Sequence, residues 1–153
     1  MFGSLREFFD DIAGPPRTDP AADEQRLRVA VAVLLVEVMR AEDGVTAQER
    51  EAVTAALGNH FGAGGQLEQL VVLAQEASRT ANDFFQFTNT LNERFSRDQK
   101  IQVIEEMWRV AYADGHLGTL ENSVIARVSD LLHVTHGEYI AAKVRAQEAT
   151  RSR

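Results

Sequence analysis

Val29-Ala30-Val31-Ala32-Val33-Leu34-Leu35-Val36-Glu37-Val38-Met39-Arg40-Ala41 occupies residues 29–41. The opening alternation of valine and alanine suits a strand. The wider pattern does not. Leu27, Ala30, Val31, Leu34, Val38 and Ala41 recur at helical spacing, and no glycine or proline interrupts the run before Ala41. The stretch therefore reads as a helix over Asp23–Glu42. Val29, Val33 and Val36 extend its apolar face almost all round, which predicts a central helix.

Six more helices follow from the same periodicity. Thr46 to about Phe61 is closed by Gly62 and Gly64-Gly65. Gln66–Ala81 carries Leu67, Leu70, Val71, Ala74 and Ala77, and Asp83–Phe95 carries Phe84, Phe87, Leu91 and Phe95. Ser96–Ala113 opens with a Ser96/Gln99 capping box and carries Ile101, Ile104, Met107, Trp108, Ala111 and Tyr112. Thr119–His133 carries Val124, Val128, Leu131 and Leu132. Thr135 and Glu138 cap a last helix whose expected buried face is Ile140, Ala141 and Val144. No segment reads as a strand, so the fold class is all-α.

Ahead of this domain, Ser4–Ile12 reads as a short amphipathic helix with Leu5, Phe8, Phe9 and Ile12 on one side. Gly14-Pro15-Pro16 ends it and a linker runs to Pro20. The expected organisation is an N-terminal helix and Pro-rich linker over 1–21, a helical domain over 22–148 and a frayed tail over 149–153.

The chain has 153 residues, 44% hydrophobic and 25% charged, values of a globular domain. Its net charge of -7 argues against a phosphate-backbone binder, and no nucleic-acid partner is expected. Lys143, Arg145, Arg151 and Arg153 form a basic cluster that reads as a solvated tail. Val29–Val36 is too short to span a membrane, and the N-terminus lacks a signal-peptide pattern. Without cysteine there is no disulfide or thiolate zinc site. A cytoplasmic location is expected.

One element occurs twice. Ala113-Asp114-Gly115-His116-Leu117-Gly118-Thr119-Leu120-Glu121 matches Ala41-Glu42-Asp43-Gly44-Val45-Thr46-Ala47-Gln48-Glu49 at a shift of 72 residues. Val110 falls on Val38 and Ile125 on Val53. Each copy is a helix, an acidic corner and a second helix, which predicts two similar halves about a pseudo-twofold axis. The same shift places Glu37 on Arg109, so an ion pair between them is expected to tie the halves.

Two readings of the corners stand side by side. Thr46 and Glu49 form a capping box that needs no ligand, and acids suit a first helical turn. In the second copy Gly118 replaces the capping threonine, Thr119 offers a cap one residue later, and Glu121 is kept. Asp114 lies at a helix C-terminus, where the helix dipole disfavours an anion and a cation would offset the penalty. The spacing is not that of an EF-hand loop, so an ion would need ligands from both corners.

Trp108-Arg109-Val110-Ala111-Tyr112-Ala113-Asp114-Gly115 with Glu121, the Leu131-Leu132 step into a capped last helix, the weaker first copy from Leu34 to Glu49 and the middle segment Phe87–Phe95 resemble the TerB family, the tellurite-resistance-associated helical proteins. The resemblance covers roughly residues 25–146. It implies a compact bundle of about seven helices in two similar halves. It implies a non-enzymatic stress or tellurite-resistance module with an acidic, divalent-cation-binding site, calcium or magnesium being favoured for carboxylate ligands. Asp114 and Glu121 would supply one corner, and Glu49 with Glu42 or Asp43 the other. Glu42 stands where the family pattern has Asp, and Asp43 where it has Gly. The module also occurs fused to J-domain co-chaperones, but no His-Pro-Asp is present here. A protein partner is expected, with any membrane association made peripherally through it. The alternatives are a helical adaptor whose acidic corners bind a protein without metal and, ranked last, a metal-dependent enzyme of hydrolase type, which would need a concave pocket near the corners.

Other residues carry weaker signals. His133 and His136 have zinc-like spacing but flank a helix boundary, and surface or capping roles are expected. His116, inside the second corner, is either a turn residue or a charge that tunes the site. Gly62–Gly65 lacks the lysine of a phosphate loop and reads as a turn. Trp108, Phe84, Phe85, Phe87 and Phe95 are expected in the core.

Overall fold

The computed structural model describes residues 20–41, 46–62, 66–80, 84–113 and 118–151. The expected N-terminal helix over Ser4–Ile12 and the linker before Pro20 lie outside them. Among the described residues there are seven helices: α1 Pro20–Arg40, α2 Ala47–Phe61, α3 Leu67–Thr80, α4 Phe85–Arg94, α5 Arg97–Tyr112, α6 Thr119–Leu131 and α7 His136–Arg151. The described residues contain no strand, and the molecule is an all-α bundle.

The valine-alanine stretch is helical and central. Val29–Val36, Val38 and Met39 are all buried. Around them, α1 packs against α2, α3, α4, α5 and α6. A helix apolar on every side needs such a ring of neighbours, because any uncovered flank would leave valine in water. α1 begins at Pro20, where a missing N–H is tolerated, rather than near residue 22.

Capping chemistry sets the other starts. Ser96 Oγ accepts from Gln99 N–H at 3.2 Å, and Gln99 Oε1 accepts from Ser96 N–H at 2.8 Å. Thr135 and Glu138 form the same reciprocal pair ahead of α7, at 3.2 and 2.9 Å. Glu138 is further held by a two-point contact with Arg97, at 2.7 and 2.8 Å. Gly62 closes α2 at φ 84°, where a side chain would be strained. His133 closes α6 at φ 62°, while Val134 N–H bonds back to Ser129 O at 3.0 Å. This is the capping role expected for His133, and both His133 and His136 are exposed.

Four expectations need correction. The buried face of α7 is Ala142 and Ala146, whereas Ile140 and Val144 are 42% and 45% exposed. Alanine lets α7 lie close against α5, while Tyr139 stands edge-on to Trp108 at 5.3 Å and Lys143 Nζ sits 5.0 Å from the Trp108 ring centre. Phe85 is 63% exposed, because as the first residue of α4 it projects beyond the face that buries Phe87 and Leu91. The tail starts later than residue 149: α7 runs to Arg151, with Thr150 Oγ1 bonded to Ala146 O at 3.0 Å. Glu37 and Arg109 do not pair. Glu37 takes Ser78 of α3 and Arg40 of its own helix, and Arg109 takes Glu105 at 2.7 Å, so each charge is met elsewhere.

Candidate functional site

The helix ends that flank the repeated element keep its register in the folded chain. α1 ends at Arg40 and α2 begins at Ala47; α5 ends at Tyr112 and α6 begins at Thr119, so both boundaries recur at 72 residues. The cap of α6 is Gly118, and Thr119 is already helical. Glu42, Asp43 and Asp114, together with His116, lie outside the described residues. The expected approach of Asp114 to Glu121 lies there too.

Glu49 and Glu121 occupy the same place in their helices, the third residue after the cap. Glu49 Oε1 accepts from Thr46 N–H and from Thr46 Oγ1, both at 3.1 Å, while Glu49 N–H donates to Thr46 Oγ1 at 3.1 Å. Glu121 Oε1 accepts from Gly118 N–H at 2.9 Å. The two residues are 3% and 2% exposed. Each carboxylate thus satisfies an N–H that the first helical turn leaves without a partner, and each sits where the helix dipole favours negative charge. This is the capping reading, and at Oε1 of both residues it holds. Among the described residues, no three His, Asp or Glu side chains are grouped to hold a metal ion.

A second polar centre lies where the sequence gives little sign of one. His60, in the last turn of α2, meets Glu106 of α5 through Nε2 and Oε1, with side chains only 6% and 3% exposed. His60 also stacks on Phe95, with ring centres 5.9 Å apart. Burial pushes the Glu106 carboxyl above the ordinary carboxylate range, while the contact with His60 and the nearby Arg109 charge oppose the rise. The available signal is Glu106 itself, an acid inside the apolar run that holds Val103, Ile104, Met107 and Trp108. Its partner, 46 residues away, has no comparable mark.

Beside this pair a cavity of about 320 Å³ opens between α2, α5 and the end of α7. Ala52, Ala55 and Ala56 form one wall, and Glu106, Arg109 and Tyr112 the other. Arg109 uses Nη2 on Glu105, which also receives Arg145 Nε at 2.6 Å. Arg109 Nε is buried without an acceptor.

An all-helical bundle around one apolar helix, with the boundaries of two described helix pairs recurring at 72 residues, defines a class of small helical modules. Within that class, the family model described as tellurite resistance protein TerB matches residues 28–144. The chain belongs to the TerB family. No curated protein and no solved structure matches it. No described helix is long and apolar enough to cross a membrane.

Proposed function

We propose that this chain is a non-catalytic TerB module of a stress or tellurite-resistance response, and that its paired acidic corners take up a divalent cation. The observation that carries the reading is the recurrence of one corner at a constant shift, with a buried acid at the same helical position each time. Capping alone accounts for Glu49 and Glu121. It does not account for Asp114 or for Glu42 and Asp43, which follow the last residues of α5 and α1 in the sequence, where anions are disfavoured. Calcium or magnesium suits such oxygen ligands.

The complete capping box at Glu49 favours a second reading. If the buried acids only hold helix starts, the loop acids are left for a basic protein surface, and the module is an adaptor. Net charge -7 is compatible with that role.

Thermal melting in millimolar calcium or magnesium separates the two. A cation that binds only the folded chain, at ten times its Kd, raises stability by about 1.4 kcal/mol, or roughly 3–5 °C. The Asp114→Asn, Glu121→Gln chain should lose that response. Its apo stability should barely change, because the amide oxygen that replaces the Glu121 carboxylate can still accept from Gly118 N–H. Equal responses in the two chains overturn the cation reading and leave the adaptor.

A further inference from the structure

The cavity between α2, α5 and α7 combines features that the acidic corners lack. It is walled by small side chains on α2, where any larger residue would fill it. One wall carries a side chain that is almost wholly buried, Glu106, whose Oε1 is committed to His60. One turn further along α5, Arg109 lines the same wall with its side chain 41% exposed. An acid and a guanidinium at positions three apart have Cβ atoms about 5–6 Å from one another. That spacing suits the two ends of a small molecule with opposite charges. The volume lies at the lower end of ligand sites, which run from about 300 to 1,000 Å³.

We propose that this cavity binds a small zwitterion of the amino-acid class, with its ammonium held by Glu106 and its carboxylate by the exposed end of the Arg109 guanidinium. Asn59 and Tyr112, at the margin, supply further polar atoms. The alanines leave room for a short aliphatic side chain and exclude a bulky one. Burial raises the Glu106 pKa against the opposing effects of His60 and Arg109, and an ammonium group beside it would add a further charge that favours the carboxylate.

The probes are L-2-aminobutyrate, butyrate, which lacks the ammonium, and n-propylamine, which lacks the carboxylate. Amide chemical shifts of Asn59, Glu106, Arg109 and Tyr112 report binding to the full chain. L-2-aminobutyrate is expected to move these four resonances saturably at millimolar concentration, and the two half-ligands to bind at least about tenfold more weakly. Arg109→Met should weaken L-2-aminobutyrate by a similar factor. Glu106→Gln alters the buried contact with His60 as well as the cavity wall, so Ala55→Leu serves as the second variant. Residue 55 is exposed at the cavity wall, and leucine there fills the space without entering the core. Absence of shifts at tens of millimolar, equal binding of the half-ligands, or undiminished binding by a folded Ala55→Leu chain would each overturn the proposal.

Discussion

Glu106 shows how one buried acid links local packing to the behaviour of the whole chain in acid. Its carboxyl holds a proton more tightly folded than unfolded, chiefly because burial penalises the charged form. The native state therefore binds more protons than the unfolded state in the interval between the two values. By linkage, the contribution of Glu106 is fully present below the ordinary carboxylate range and is lost as pH rises through its raised value. Glu106→Gln removes the titration and keeps a hydrogen-bonding side chain. In urea denaturation at a series of pH values, the variant should gain on the parent as pH rises from about 4 through that interval. A constant difference at all pH values would show that Glu106 does not titrate in this way. The capping function of Glu49 is legible in Thr46-Ala47-Gln48-Glu49 because the partners are three residues apart. The His60–Glu106 contact is not, since nothing local to either residue states which face of α2 meets which face of α5.

At the scale of the element, α7 marks where sequence reading reaches its limit. Its start is legible in Thr135 and Glu138, as another start is in Ser96 and Gln99, because a cap is settled between near neighbours. Its buried face is not. Periodicity ranks residues by hydrophobicity, so Ile140 and Val144 outweigh Ala142 and Ala146. Packing ranks them by how closely two helices can approach, and here the alanines face inward while Tyr139 and the Lys143 stem cover Trp108. A pair of substitutions checks this. Ala142→Leu should overpack the α5–α7 contact and cost about 1–3 kcal/mol. Ile140→Ala should change stability by less than about 0.5 kcal/mol, since the side chain is substantially solvated. The opposite ranking in denaturant midpoints would place Ile140 at the contact and refute the orientation described.

On the scale of the molecule, the bundle is organised from the inside out, with α1 as the common wall of five neighbours. Leu34, fully buried near the middle of α1, is the natural probe. Leu34→Ala should cost about 2–5 kcal/mol, lowering Tm by several degrees to about 20 °C in one cooperative transition. A loss confined to one helix, with the rest melting as before, would show that the neighbours are stable without α1. The centrality of α1 is legible because valine and leucine cover its whole circumference, a property of one segment alone. The set of helices surrounding it is not, because that depends on how the connections route the chain. The same arrangement has a consequence during synthesis. Every described helix that covers Val29–Val36 follows it in the chain, the last being α6, which ends at Leu131. At about 5–20 residues per second, translation needs on the order of ten seconds to make that length. For that interval the most water-averse surface of the protein exists without its cover. Nascent chains arrested before α6 should therefore be the ones that cling to holdases or aggregate.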